Sequence, residues 1–230
     1  VANAVAANNN GSSNVAANTD ELAEEMALKI DKNIGNTPHN YEMVQGADAI
    51  TALVKKLSAF SEICFDTETT NIDANDAELV GLSFSVKPHE GYYIPCPPDM
   101  QATKLILTQL MPLFHDSIKV WVGQNIKYDL LVLKWYGVEL TGNLFDTMLA
   151  HYVIEPEGKR GMDLLSAKYL GYEPVHIEEL IGKKGKNQGN MRDVEVAEIA
   201  EYAAEDADIT FQLKQVLDPI LLETNQTKLF

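Results

Sequence analysis

Three strand-like segments follow one another closely along the chain, and their order limits the possible folds more than any other feature. They are Ile63 to Thr67, Leu79 to Val86 and Tyr92 to Pro95, and the connections between them are short. Short connections favour antiparallel neighbours, because parallel strands need a crossover of about a dozen residues or more. The sequence therefore predicts an antiparallel meander.

Helical periodicity dominates the chain after this meander. The other predicted elements are the strands Tyr41 to Val44 and Lys119 to Val122 and the helices Asp48 to Ser58, Thr103 to Phe114, Asn125 to Tyr136, Thr147 to Ile154, Asp163 to Leu170 and Val194 to Leu217. Asp146 is placed to cap the helix that begins at Thr147. A sheet followed by helices predicts a mixed α/β layer fold rather than a doubly wound parallel sheet.

The composition narrows the class of protein. Residues 1–18 are rich in Asn, Ala, Gly and Ser, which predicts a flexible tail or linker, and the apolar spacing of Asp20 to Ile30 predicts a short helix after it. No segment resembles a signal sequence or a membrane span. Two cysteines, Cys64 and Cys96, are too few for a disulfide framework or a zinc cluster. We expect a cytoplasmic monomer.

The formal net charge of −16 argues against a nucleic-acid partner. Affinity for nucleic acid usually comes from Lys and Arg side chains that neutralise phosphates. Divalent cations between carboxylates and a phosphate invert the local electrostatics, however. An acidic nucleic-acid-binding protein therefore remains possible if its acids hold metal ions.

Three pairs of polar residues each lie on one face of a predicted element. They are Asp66 and Glu68 on a strand, Asn125 and Asp129 on a helix, and Tyr202 and Asp206 on another helix. Each pair alone also has a structural explanation. Asp66 and Glu68 would also fit the solvated end of a strand. Asn125 would also fit a helix N-cap, with Asp129 as a favourable charge in the first turn. Tyr202 and Asp206 would also fit a core helix with a buried tyrosine.

Taken together, the pairs resemble the DEDD 3′-to-5′ exonucleases, whose motifs are Asp-x-Glu, Asn-x-x-x-Asp and, in the tyrosine subclass, Tyr-x-x-x-Asp. The histidine subclass has His five residues before the last Asp, and this chain has Glu201 there. Segments 79–84, 123–129, 145–149, 185–188 and 202–208 are further similar to the proofreading domain of bacterial DNA polymerase I, a family A polymerase. The resemblance covers roughly Tyr41 to Leu217. It implies a ribonuclease H-like mixed sheet, an antiparallel meander plus parallel strands, flanked by helices.

The resemblance also implies a mechanism of two-metal-ion phosphodiester hydrolysis. The expected metal ligands are Asp66, Glu68, Asp129 and Asp206, and Tyr202 is expected to orient the attacking water. The expected cofactors are two divalent ions, Mg²⁺ or else Mn²⁺ or Zn²⁺, roughly 3.5–4 Å apart. The expected substrate contacts are Thr67, Ile72, Gln124, Asn125, Tyr128 and Ile177. The resemblance assigns no definite role to the basic residues Lys159, Arg160, Lys183, Lys184 and Lys186.

The expected partners are a single-stranded or frayed DNA 3′ end and a polymerase domain in the same parent chain. We expect a linker with a short helix over 1–38, the exonuclease domain over 39–218, and the start of a connection to the polymerase domain over 219–230. The first residue, Val1, fits an excised piece of a longer enzyme. Two alternatives remain: a ribonuclease D-like 3′-to-5′ exoribonuclease, and a catalytically weak, exonuclease-like structural domain.

Overall fold

The computed structural model describes residues 30–230, so most of the predicted tail and short helix lie outside the described residues. The strands are β1 (Lys32–Asn33), β2 (Asn40–Met43), β3 (Glu62–Thr69), β4 (Leu79–Lys87), β5 (Glu90–Pro95), β6 (Val120–Gly123), β7 (Asn143–Asp146) and β8 (Tyr172–Glu173). The helices are α1 (Ala47–Ser58), α2 (Met100–Phe114), α3 (Lys127–Trp135), α4 (Thr147–Ile154), α5 (Met162–Leu170), α6 (Ile177–Ile181) and α7 (Val196–Glu223), with a 3₁₀ turn at Met191–Asp193.

A six-stranded mixed sheet forms the centre of the fold, in the order β2-β5-β4-β3-β6-β7. Strands β3, β4 and β5 are antiparallel neighbours, which confirms the predicted meander. Strand β2 pairs in parallel with β5, β6 with β3, and β7 with β6. Strands β1 and β8 form a separate parallel pair. The predicted mixed α/β fold class is confirmed.

Helices cover both faces of this sheet, and the described residues form three apolar clusters. Helices α1, α2 and α3 contribute to the first cluster, α4, α5 and α7 to the second, and the start of α7 packs with β4 and β5 in the third. Along β3 successive side chains alternate between the two faces, so Phe65 lies in the first cluster and Cys64 in the second. Asp66 and Glu68 continue the alternation on the side of Cys64, which is the side that α7 covers.

The long helix α7 approaches the sheet closely because its contact residues are small. Ala203, Ala204 and Ala207 are fully buried. On the sheet, Gly91 makes room for them: a Cβ at this position would lie 2.7 Å from the carbonyl oxygen of Ala204, which is a clash. Any larger side chain at Gly91 would push α7 away from β5 and change the position of every residue on the helix.

Buried acids fix the register of α7 on the sheet. Asp208 accepts hydrogen bonds from the Tyr41 hydroxyl and from the His89 backbone amide, both at 2.8 Å. Glu205 accepts from the Tyr172 hydroxyl at 2.5 Å. Buried carboxylates are stable only when donors surround them. These contacts therefore hold the helix at one position along its axis.

Several short elements were not predicted, and some boundaries differ. Strands β1 and β8 have two residues each, and β7 has the burial pattern of an edge strand with one buried residue, Phe145, so their formation depends on tertiary pairing rather than on a local pattern. The pair Lys32–Asn33 falls within the segment expected to be a linker. Helix α3 begins at Lys127 instead of Asn125, and α7 continues past Leu217 to Glu223. The proposed domain boundaries stay a prediction.

The two cysteines of the chain, Cys64 and Cys96, are both buried and free. Burial raises the pKa of the Cys96 thiol to about 12, so this group stays protonated at neutral pH. Among residues 30–230, no helix combines the length and the apolar character needed to cross a membrane.

We expect Asp208→Ala to lower the free energy of unfolding by about 2–4 kcal/mol, because it removes a buried carboxylate that is the acceptor for the half-buried Tyr41 hydroxyl and the His89 amide. Asp218→Ala is the matched control on the same helix. Its carboxylate lies 3.0 Å from Lys214 Nζ and its side chain is 40% exposed, so we expect a loss below about 1 kcal/mol. Urea unfolding measures both. Equal losses would contradict the anchoring role of Asp208.

Candidate active site

Three carboxylates meet where β3 and α7 cross. Asp66 and Glu68 come from β3, Asp206 comes from α7, and one oxygen from each lies within 4.8 Å of the others. Glu68 and Asp206 are only 6% and 7% exposed. Among the described residues, Asp206 Oδ1 has no hydrogen-bond partner. A buried carboxylate oxygen without a donor is costly, and a bound cation would remove that cost.

Asp129 reaches the same site from the opposite side of β3. It lies in the first turn of α3, and its Oδ1 accepts hydrogen bonds from the Thr67 backbone amide at 3.1 Å and the Thr67 hydroxyl at 2.5 Å. It does not belong to the close group of three acids. Since Thr67 stands between Asp66 and Glu68 in the sequence, these bonds fix Asp129 beside that group.

Burial makes the four acids hard to ionise. It raises the pKa of Asp66 to about 7. Burial first, and then the charges of Asp66 and Asp129, raise the pKa of Glu68 well above its ordinary range. Burial also raises the pKa of Asp129 and of Asp206, with a further contribution from Asp66 in both cases. Within the described chain no Lys, Arg or His side chain lines the cavity around them. An external cation is what would let them ionise together.

Tyr202 stands on α7 one turn before Asp206. Burial, followed by the negative charges of Asp206 and Glu68, raises the pKa of this phenol well above 10. The hydroxyl therefore keeps its proton at neutral pH. It can orient a polar molecule by hydrogen bonding, but it cannot act as a general base.

One cavity of about 510 Å³ is lined by all of these residues and by every residue expected to contact substrate. The latter are Thr67, Ile72, Gln124, Asn125, Tyr128 and Ile177. Ile72 is 89% exposed and Ile177 is 38% exposed. These two side chains offer apolar surface at the cavity, which is the kind of surface that a nucleobase can contact.

The helical prediction for Asn125 is wrong in its geometry. Asn125 precedes α3 and has a left-handed φ of 59°, so it does not share a helix face with Asp129. It reaches the cavity from the turn between β6 and α3 instead. Tyr128, in the first turn of α3, donates its hydroxyl hydrogen to the Asn71 carbonyl and lies 2.6 Å from the Thr69 hydroxyl. It thereby supports the loop that carries Ile72.

Other cavity residues were not found from the sequence. They are Thr69, Thr70, Asn71, Ile181, Gln188, Gly189, Asn190 and Met191. Asn190 Nδ2 donates to the Thr70 carbonyl at 3.0 Å and so ties two walls of the cavity together. The local sequence around Asn190 indicates only a turn, in which the Asn190 side chain accepts a hydrogen bond from the Arg192 amide. It does not indicate a contact with the cavity.

The basic residues considered in the sequence do not line the cavity. The Arg160 guanidinium lies 4.5 Å from the centre of the Tyr152 ring and donates to the Pro156 carbonyl. The Arg160 carbonyl accepts from Gln124 Nε2 at 2.8 Å, so its backbone supports a cavity residue. Lys183, Lys184 and Lys186 are exposed on the loop that leads to Gln188.

Comparison with known proteins identifies the family. A protein family described as a 3′-5′ exonuclease matches residues 41–222. The chain belongs to this 3′-5′ exonuclease family. It is 39% identical over 187 residues to DNA polymerase I of Pseudomonas aeruginosa and 34% identical over 180 residues to DNA polymerase I of Borreliella burgdorferi, with 77% of this chain covered in each case. These matches cover 20% and 19% of the relatives, so the chain spans about a fifth of their length.

Solved structures share the fold of this exonuclease. Escherichia coli RNase D is 21% identical with a TM-score of 0.64, and the match covers 82% of this chain and 47% of that one. Pol1 from M. smegmatis is 18% identical with a TM-score of 0.60, and the match covers 80% and 28%. At these identities the likeness shows the fold alone. The predicted ribonuclease H-like fold is confirmed.

The raised pKa of Asp66 predicts how the stability of the metal-free protein depends on pH. Between the ordinary pKa of 3.8 and about 7, folded Asp66 keeps a proton that the unfolded chain has released. The free energy of unfolding therefore falls as pH rises through this window. In EDTA we expect Asp66→Asn to stabilise the protein more at pH 8 than at pH 4, as measured by urea unfolding. The same change at both pH values would contradict this prediction.

Proposed function

We propose that this exonuclease removes nucleotides from single-stranded or frayed DNA 3′ ends as the proofreading domain of a DNA polymerase I. The observation that carries the proposal is the group of buried carboxylates from β3 and α7, with an unpartnered oxygen on Asp206 and the protonated Tyr202 beside it. Family membership gives the class of reaction. The similarity to DNA polymerase I in sequence supports DNA as the substrate.

The set of oxygen donors supports a site for two divalent cations, and hard carboxylate donors suit Mg²⁺ or Mn²⁺. Asp66, Glu68 and Asp206 would hold one cation. Asp129, with Asp66, would hold the second. When bound, such ions lower the pKa of the attacking water and stabilise the charge on the leaving oxygen.

The protein residues bind and orient the substrate. Ile72 and Ile177 offer apolar contacts to the terminal bases, while the side chains of Gln124 and Asn125 are polar groups facing the same cavity. The Tyr202 hydroxyl holds the attacking water by hydrogen bonding. The water oxygen forms a bond to the terminal phosphorus as the bond from phosphorus to the 3′ oxygen breaks. That oxygen takes up a proton, the water loses one, and a 5′-mononucleotide is released.

The chain's relatives are about five times longer than the matched region, so the proposal includes a polymerase domain in the same parent chain. That domain would deliver a frayed primer end to the cavity. Without that delivery we expect weak activity on duplex ends. Activity on single-stranded DNA does not depend on it.

A ribonuclease D-like exoribonuclease is the second candidate, supported by the likeness in fold to E. coli RNase D, which is described as an exoribonuclease involved in structured RNA processing. Its support is weaker, because that match is 21% identical whereas the DNA polymerase I of P. aeruginosa is 39% identical. Degradation of DNA and RNA strands of one sequence separates the two candidates. Faster degradation of RNA would favour the second.

We expect Asp66→Ala and Asp206→Ala each to lower Mg²⁺-dependent release of 5′-mononucleotides from a 5′-labelled DNA strand by about 10²–10³-fold, because each removes a carboxylate that stabilises the reacting charges. Gel analysis of the shortened strands measures the rate. Asp48→Ala, an exposed acid in the first turn of α1, is the matched control and should keep wild-type activity. Wild-type activity in Asp206→Ala would contradict the proposed site, and so would full activity in EDTA.

A further inference from the structure

A single carboxylate joins two helices at the edge of the active site. Asp146 is the last residue of β7 and pairs with Gly123, the last residue of β6, so the chain leaves both strands at the same level. Its two oxygens accept hydrogen bonds from four backbone amides, those of Met148 at 2.9 Å, Leu149 at 3.2 Å, Asn125 at 3.1 Å and Ile126 at 3.0 Å. The first two amides belong to its own helix, α4. The other two belong to the turn that begins α3.

This carboxylate holds the turn before α3. Asn125 has a left-handed φ of 59°, a conformation that Asn adopts more readily than most residues other than glycine, and hydrogen bonds to Asp146 fix the turn in place. Asp146 Oδ1 holds the Asn125 amide, and Asp146 Oδ2 holds the amide of Ile126. Thr147, the next residue along, donates its hydroxyl hydrogen to the Gly123 carbonyl at 3.2 Å and closes the same junction.

The first turn of α3 is built on the two residues that Asp146 holds. The Tyr128 amide donates to the Asn125 carbonyl at 2.9 Å, and the Leu130 amide donates to the Ile126 carbonyl at 3.0 Å. Between these two donors lies Asp129. A change in the position of Asn125 and Ile126 would therefore displace Asp129 relative to β3.

We infer that Asp146 is a positioning residue of the exonuclease: its carboxylate holds Asn125 and Ile126 and thereby sets where Asp129 and Tyr128 stand in the cavity. Asp146 itself is absent from the cavity lining, so it acts through these residues. The inference rests on the proposed function for its effect on catalysis. Its structural part, the fixed turn before α3, can be tested without catalysis.

The chain offers a matched control for an ordinary helix cap. Asp99 caps α2 in the usual way, since its Oδ1 accepts from the Ala102 amide at 2.8 Å, and within residues 30–230 no hydrogen bond links it to the cavity residues. Serine is a good N-cap and preserves a capping bond at either position. A single serine oxygen at position 146 cannot also reach Asn125 and Ile126. Asp146→Ser therefore removes the bridge between the helices, whereas Asp99→Ser removes no bridge.

We expect Asp146→Ser to lower kcat on single-stranded DNA by about 10–100-fold and to weaken Mn²⁺ binding by about 10-fold, because it loosens a metal ligand without removing it. Calorimetry measures the Mn²⁺ affinity. In the metal-free protein, hydrogen exchange should become faster at the amides of Asn125 and Ile126. Asp99→Ser should change none of these quantities. Asp146→Asn keeps one accepting oxygen and loses the acceptor of the Ile126 amide, so we expect a smaller loss of kcat and faster exchange at Ile126 alone. If the serine variant fails to fold, Asp146→Asn is measured in its place, and wild-type kcat with unchanged exchange at Ile126 would then overturn the inference.

Wild-type kcat and Mn²⁺ affinity in a folded Asp146→Ser would overturn the inference. Unchanged amide exchange at Asn125 and Ile126 would overturn it too, and so would equal losses in Asp99→Ser, which would indicate a general effect of cap replacement. If the wild-type protein degrades neither DNA nor RNA, the proposed function fails. Amide exchange and Mn²⁺ affinity then decide the positioning role on their own.

Discussion

Close packing of α7 against β3 forces three carboxylates together, and the rest of the structure accommodates that crowding. The small side chains of Ala203, Ala204 and Ala207, together with Gly91 on β5, let the helix reach the sheet. At this separation Asp206 meets Asp66 and Glu68 instead of solvent. Like charges in a buried place repel one another and lose hydration, which raises their pKa values. The site is therefore assembled against an electrostatic cost.

Contacts on either side of the site offset this cost. On α7, Glu205 and Asp208 are buried acids with donors, and they hold the helix in register on the sheet. On α3, Asp129 is fixed by Thr67, and the turn before it is fixed by Asp146. Local destabilisation at a functional site that is supported by its surroundings is common in enzymes. The same acids also explain how a chain with a net charge of −16 can bind nucleic acid. Some of the carboxylates that would repel a phosphate are those proposed to bind it through metal ions.

Much of the fold and site follows from local patterns, and the remainder requires tertiary contacts. The alternation along β3 correctly places Asp66 and Glu68 on one face, and the meander follows from short connections. The helix prediction for Asn125 is wrong because this residue takes a left-handed turn before α3, and the contact that holds the turn comes from Asp146, 21 residues further along the chain. Strand β7 has four residues and too weak a pattern to be predicted. Asn190 joins the cavity only because the chain folds back to Thr70 across 120 residues.

We propose that the four acids form one site for two divalent cations, and anomalous diffraction from crystals soaked in Mn²⁺ shows such ions directly. We expect two peaks among Asp66, Glu68, Asp129 and Asp206 in the wild-type protein, and loss of at least one of them in Asp206→Ala. Well-diffracting soaked crystals with no peak at these carboxylates, or with unchanged peaks in Asp206→Ala, would contradict it.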